Sequence, residues 1–270
     1  MKPVYIQSVS VLGPGMPDWH QSVSILGGSD ECELRPLQLT APTSLPANER
    51  RRASRLSKMA MRVAEQAMSE SDLDTMDQAT VFASSCGDMD IVDKICTALT
   101  LDDKPVSPTQ FHNSVHNAQA GYWAIANQVH QASNSISAYN GSFSAGLLEA
   151  VTVVTVEQMP VLLVVYDRPA PGVLYASGPS RFEFAMALLL IPEHSTGAMA
   201  RIQLELREPV SHAEVYTQCH TTALEELRLG CPAARSLPLL ECLVRKQPGS
   251  IILPYLSSLD LVASLDGYDQ

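Results

Sequence analysis

Short apolar runs that alternate with helical segments constrain the fold of this chain more than any other feature. Two-residue alternation or continuous apolar character predicts strands at residues 4–11, 80–84, 134–138, 161–166, 184–191 and 201–208, and a further apolar run lies at 251–253. Helical periodicity predicts helices at residues 51–68, 89–100, 117–129, 143–157, 223–229 and 238–245. Such an alternation of strands and helices predicts an α/β protein built as an α/β/α layered sandwich.

The pattern weakens toward the C-terminus. Residues 1–200 carry the regular alternation, and we expect them to form one domain, followed by a small appendage at residues 201–270. With 46% hydrophobic and 17% charged residues, the chain has enough apolar material for a large core. It is therefore expected to be a folded protein and not a disordered one.

The charge balance excludes one class of function and marks one surface. A formal net charge of −11 argues against nucleic-acid binding, which needs a dominant basic surface. Six of the 18 basic residues nevertheless fall within one short stretch: Arg50, Arg51, Arg52, Arg55, Lys58 and Arg62. This cluster is either a solvated helix face or a docking site for an acidic partner.

The cysteines and the apolar runs indicate a compartment. Six cysteines occur without a Cys-x-x-Cys pair, and the N-terminal residues lack the apolar stretch of a signal peptide. The apolar runs at 159–166 and 185–191 are far shorter than the roughly 20 residues that span a bilayer. We expect a cytoplasmic protein without a membrane span or disulfides.

The centre of the chain carries the most specific motif. It consists of the runs SPTQFHNS at residues 107–114, AGYW at 120–123 and SISAYNGS at 135–142. These runs resemble the central segment of the β-ketoacyl synthases, in which a Pro-containing loop, a helix with an Ala-Gly pair and a short strand lead to the nucleophilic cysteine. More narrowly, they look like the chain-length-factor-type homologues of bacterial aryl polyene gene clusters. The resemblance covers roughly residues 1–200 and implies the N-terminal half of a thiolase-like fold.

Asn140 departs from the family pattern at the position that matters most. In register with the family, Gly121 falls on the helix glycine and Asn140 on the cysteine. An asparagine amide cannot form the thioester that a cysteine thiolate forms. The downstream histidines, His194, His212 and His220, match no catalytic motif of the family. The resemblance therefore implies a catalytically silent homologue that needs no metal or organic cofactor.

The family's dimeric architecture implies two contact sets. Asn134, Ser135, Ile136, Ser137 and Ala138 are expected to form a strand across the interface with a complete β-ketoacyl synthase. Gln110, Phe111, His112 and Val115 are expected to border the partner's acyl tunnel, whose length would limit the product. The basic cluster occupies the place where the family docks acyl carrier protein. Two alternatives remain: a malonyl-carrier decarboxylase, and a purely structural subunit of the ketosynthase.

Several residues of the motif also have simpler interpretations. Asn140-Gly141 is a common turn sequence, although the register with the family favours a replaced nucleophile. His112 and His116 are spaced for a helical metal pair but lack a third ligand, so hydrogen bonding at an interface is favoured. Cys86 is interpreted as a small packed residue.

Overall fold

The computed structural model describes residues 1–209 and 216–267. Its strands are β1 (Val4–Leu12), β2 (Ala79–Ala83), β3 (Ser133–Ile136), β4 (Val161–Asp167), β5 (Phe184–Ile191), β6 (Ala200–Arg207), β7 (Gly249–Leu256) and β8 (Leu259–Asp266). Its helices are α1 (Trp19–Gly27), α2 (Ala47–Arg52), α3 (Arg55–Ser69), α4 (Met89–Leu99), α5 (Pro108–Asn113), α6 (Ala118–Asn127), α7 (Ser142–Glu157), α8 (Thr222–Gly230) and α9 (Leu237–Arg245). Short 3₁₀ turns cover Tyr139–Gly141, Gly172–Leu174 and Ala233–Ser236.

The described strands form a single sheet in the order β3-β2-β4-β5-β1-β6-β8-β7. The strand β2 pairs in parallel with β3 and β4, and the remaining pairs are antiparallel. Parallel strands of this kind need crossover helices, which α6 and α7 supply. The short strand β3 forms one edge of the sheet, and its residues are exposed or half-buried.

Helices cover both faces of the sheet because its central strands are apolar on both sides. Every residue of β4 is buried. Val161, Leu163 and Val165 belong to the core around α7, whereas the alternate residues Leu162 and Val164 belong to the core around α3 and α6. This two-residue alternation between two cores produces the layered arrangement that the sequence predicts.

The helix predicted at residues 51–68 is two helices. The backbone of Ala53 is extended and ends α2, and the side chain of Ser54 accepts a hydrogen bond from the Ser57 N–H to begin α3. Serine is a favoured N-cap because its hydroxyl satisfies a free amide of the first turn. The continuous-helix prediction was wrong at this cap. The methionines Met59 and Met61 of α3 are buried in the core.

The C-terminal segment extends the sheet and encloses α7. The apolar run at 251–253 lies within β7, which pairs with β8. Neither strand was predicted, and α1 was also missed. Buried Leu237, Leu253 and Leu224 join Val151 of α7 in one core. The boundary at residue 200 stays a prediction, although this segment shares its core with the preceding residues. Among the described residues, no helix has the length and apolarity to cross a membrane.

Candidate functional site

The candidate site begins at the turn between β3 and α7, the 3₁₀ turn Tyr139–Gly141, which we call the elbow turn. Tyr139 has a φ of 50°, in the left-handed region that bulky residues rarely adopt. The Ser142 hydroxyl accepts a hydrogen bond from the Ala138 N–H (3.0 Å) and donates one to the Tyr139 carbonyl (2.7 Å). One serine side chain therefore closes both sides of the turn.

The strand β7 lies directly against the elbow turn. A Cβ atom added to Gly141 would be 2.5 Å from the Tyr255 carbonyl oxygen, so only glycine fits at this position. The Ser144 hydroxyl donates a hydrogen bond of 2.6 Å to the Pro254 carbonyl. These contacts fix the start of α7 to the C-terminal segment.

Asn140, the proposed replacement of the nucleophile, is exposed within the elbow turn. The strained backbone belongs to its neighbour Tyr139, one position earlier. Neither an asparagine amide nor a tyrosine hydroxyl provides the thiolate that accepts an acyl chain in a ketosynthase. The assignment of Asn140 to the nucleophile position stays a prediction.

The buried carboxylate of Asp167, which the sequence analysis missed, is connected to the elbow turn through hydrogen bonds. Oδ1 of Asp167, at the end of β4, accepts hydrogen bonds from Ser84 Oγ (3.0 Å), Ser85 N (2.8 Å) and Ser85 Oγ (2.7 Å). The carbonyl of Ser85 in turn accepts a hydrogen bond from the Ser137 hydroxyl (2.7 Å). Burial raises the pKa of Asp167 from 3.8 to about 6, although the serine hydrogen bonds act in the opposite direction.

Asp167 escaped the sequence analysis because nothing in its local sequence marks it as buried. The only available signal was an acidic residue directly after a continuous apolar strand. Cys86, close to the same carboxylate, is half-buried, and burial raises the pKa of its thiol. A raised pKa disfavours the nucleophilic thiolate. This agrees with the interpretation of Cys86 as a packed residue.

A large apolar groove lies beside the edge strand. Its volume is about 1010 Å³, and we call it the α5–α6 groove. Phe111, His112 and Val115, three of the four predicted tunnel residues, line it. Gln110 lies on the same helix but does not line it. Exposed Phe111 (68%) and Ile125 (79%) contribute apolar surface to the groove.

The predicted interface strand borders the same face. A second cavity, of about 420 Å³, separates α6 from residues 133–135 of β3, and Gly121 lines both cavities. The strand itself ends at Ile136, earlier than predicted. Ser137 and Ala138 lead into the elbow turn, where Ser137 bonds to Ser85 and Ala138 to Ser142. The role of these residues in an interface stays a prediction.

The two histidines of the motif point to different neighbours. His112 lines the α5–α6 groove, whereas Nε2 of His116 lies 3.2 Å from the Ser84 carbonyl. Within residues 1–209 and 216–267, no group of three His, Cys, Asp or Glu side chains could hold a metal ion. Downstream, His220 bonds to Glu241 on α9, and His194 packs edge-on against Tyr5. His212 lies outside the described residues.

The basic cluster divides between two helices and is partly neutralised. Arg55 forms a bidentate ion pair with Glu183 (2.6 and 2.7 Å), and Arg62 pairs with Glu65. Arg50 donates to the Pro42 carbonyl. Lys58 is half-buried. The exposed basic side chains of α2 are Arg51, which bonds to Asn48, and Arg52, which pairs with the groove residue Glu49.

Comparison with known families places this fold. Residues 29–248 match the family model described as "Beta-ketoacyl synthase, N-terminal domain", so the chain belongs to the β-ketoacyl synthase family. The predicted thiolase-like α/β/α fold is thereby confirmed, and an N-terminal domain model agrees with the predicted half-length extent. Among curated proteins, no relative matches this chain.

Three solved structures share the fold. The ketosynthase ApeO in complex with its chain length factor ApeC, from Xenorhabdus doucetiae, is 21% identical, with a TM-score of 0.73 over 98% of this chain and 100% of that chain. The ishigamide ketosynthase/chain length factor is 13% identical, with a TM-score of 0.72 and 100% of both chains covered. The AntDE:AntF complex, a type II polyketide acyl carrier protein with its ketosynthase bound to the hexaketide, is 11% identical, with a TM-score of 0.77 over 98% and 99%.

Proposed function

We propose that this chain is a chain length factor, a non-catalytic subunit that pairs with a complete β-ketoacyl synthase in aryl polyene or fatty-acid-like polyketide synthesis. The observation that carries the proposal is the open apolar α5–α6 groove, which lies beside the exposed, mostly polar edge strand β3. Contiguous exposed apolar surface of this kind marks an interaction site. Two of the similar structures contain a ketosynthase with a chain length factor.

The elbow turn supports a silent role for the subunit. Tyr139 and Asn140 replace a thiol at the junction of β3 and α7, where the resembled family carries its nucleophile. The turn is also tied to Ser142 and to β7. A subunit with this turn contributes binding surface, and the complete partner carries out condensation. We place the complex in the cytoplasm, and it requires no cofactor from this chain.

The α5–α6 groove supports a role in product length. Val115 is 52% exposed and lines the groove with Phe111. In the complex, these side chains border the end of the partner's acyl tunnel, and a growing chain stops where side-chain volume blocks it. Val115→Trp is expected to shorten the products and Val115→Ala to lengthen them. Gln110→Ala is the control, because Gln110 is on α5 next to Phe111 but does not line the groove.

Product analysis by mass spectrometry distinguishes this role from a purely structural one. Unchanged product length in both Val115 variants, with the complex intact, would show that the subunit only stabilises its partner. The exposed Arg51 and Arg52 of α2 support docking of an acidic acyl carrier protein, since complementary charge increases the encounter rate.

Size-exclusion chromatography with light scattering tests the pairing directly. We expect a one-to-one complex when the chain is co-expressed with the complete β-ketoacyl synthase of the same genome. A stable homodimer or monomer that ignores the ketosynthase would contradict the proposal.

The exposed amide of Asn140 in the elbow turn favours one second candidate, decarboxylation of a malonyl carrier protein. Release of carbon dioxide from malonyl carrier protein by the purified chain alone would establish that activity, and loss of release in Asn140→Ala would assign it to this side chain.

A further inference from the structure

The backbone of Tyr139 is held in a conformation that its side chain disfavours. With a φ of 50°, it lies in a region that glycine and asparagine adopt readily and that an aromatic residue adopts at a cost in free energy. Strained residues of this kind persist where the surrounding structure fixes them, and they concentrate at functional sites. The identity of residue 139 therefore requires an explanation outside local folding preferences.

Neighbouring residues hold the elbow turn. The Ser142 hydroxyl forms two hydrogen bonds with the backbone of the turn, and Gly141 closely approaches Tyr255. Tyr139 itself is 52% exposed. A glycine or asparagine at this position would give the same turn with less strain, so the isolated chain gains little from the aromatic ring.

The position of the ring suggests its use. Tyr139 follows by three residues the edge strand β3, which the proposed function assigns to the partner. Tyrosine is a common interface anchor, because its ring buries a large area at a small entropy cost and its hydroxyl retains a hydrogen bond. The chain's net charge of −11 disfavours a second copy of itself as the occupant.

We propose that Tyr139 is an anchor side chain that inserts into a pocket of the complete β-ketoacyl synthase subunit. This inference rests on the proposed pairing and adds the residue that the strained turn presents to the partner. The strain would then be retained because it directs the ring away from the chain's own core and into the complex.

Tyr139→Gly and Tyr139→Asn test the proposal, because both residues suit a positive φ and both remove the ring. We expect the melting temperature of the isolated chain to stay the same or to rise by about 2–4 °C. We expect the dissociation constant of the complex, measured by biolayer interferometry, to increase at least about 30-fold, as for an interface hot spot. Val156→Asn is the control, since Val156 is 68% exposed at the opposite end of α7.

The outcomes separate this proposal from the proposed function. If the wild-type chain binds the ketosynthase and both Tyr139 variants bind equally well, the anchor is disproved while the pairing stands. A lower melting temperature in both variants would also overturn the anchor, because the ring would then serve the chain's own fold. If the wild-type chain does not bind, the pairing itself fails.

Discussion

The elbow turn and the α5–α6 groove are close along the chain but are built in opposite ways. At the elbow turn, Gly141 and Ser144 meet the backbone of β7 within hydrogen-bonding or van der Waals distance. At the groove, the large apolar side chains of Phe111 and Ile125 remain exposed. The molecule therefore fixes one backbone firmly and leaves the neighbouring apolar surface uncovered. A fixed turn beside an open surface suits a subunit that presents a face to a partner.

Gly141→Ala should have the largest effect on stability, because it disrupts the contact between the elbow turn and β7. The new Cβ would lie 2.5 Å from the Tyr255 carbonyl oxygen, a distance that forces β7 to move. Overpacking of this kind costs about 3 kcal/mol of unfolding free energy. Chemical denaturation of the isolated chain measures this loss.

Gly121→Ala is the matched control for that measurement. A Cβ at Gly121 meets no atom within 4 Å, and alanine favours a helix interior over glycine by up to about 1 kcal/mol. We expect Gly121→Ala to leave stability unchanged or slightly raised. Equal stability of the two variants would show that β7 is not fixed against the elbow turn.

Asp167→Asn tests the buried hydrogen bonds of Asp167 through the pH dependence of the unfolding free energy. The folded pKa of Asp167 is raised from 3.8 to about 6, so protonation favours the folded state. Its stabilising contribution is complete below pH 3.8 and is lost as the pH rises through about 6. The loss by pH 7 is about 3 kcal/mol for a shift of about two units.

Asparagine does not titrate, so Asp167→Asn avoids the loss of stability that the wild type shows between pH 4 and pH 7. The unfolding free energy of the variant should therefore increase relative to that of the wild type over this range. Glu183 has a pKa lowered by Arg55 and shifts stability in the opposite direction. That contribution is present in both proteins and cancels in the difference. Parallel stability curves for the two proteins would contradict the assignment.

Ile125→Lys tests whether the α5–α6 groove lies at the interface with the ketosynthase. Ile125 is 79% exposed on α6, so the isolated chain should keep its stability within about 0.5 kcal/mol. Binding to the complete ketosynthase should weaken by about 2 kcal/mol if the groove lies at the interface. Leu229→Lys, on the exposed surface of α8, should leave binding unchanged. Equal binding by the two variants would place the interface elsewhere.

The sequence predicted the parts of the molecule whose periodicity is local. The strands β1 to β6 follow from two-residue alternation or apolar runs, and α7 follows from a buried helical pattern. The cap at Ser54 and the pairing of β7 with β8 were missed, because a single polar residue and a short hairpin give weak local signals. The groove residues Phe111 and Val115 came from family resemblance. The elbow contacts depend on β7, more than 100 residues away in sequence, so no local pattern reveals them.

Ser144→Ala gives the smallest effect and the most specific test of the contact between β7 and α7. Its hydroxyl donates to the Pro254 carbonyl at 2.6 Å, and removal leaves that partly buried carbonyl without this donor at a cost of about 1 kcal/mol. Thr152→Ala is the control on the same helix, because its hydroxyl bonds only to the Leu148 carbonyl one turn earlier. Hydrogen exchange should accelerate in β7 for Ser144→Ala alone. If exchange accelerates equally in both variants, the hydroxyl of Ser144 does not tie β7 to the start of α7, and the close approach of Gly141 to Tyr255 remains as the contact between them.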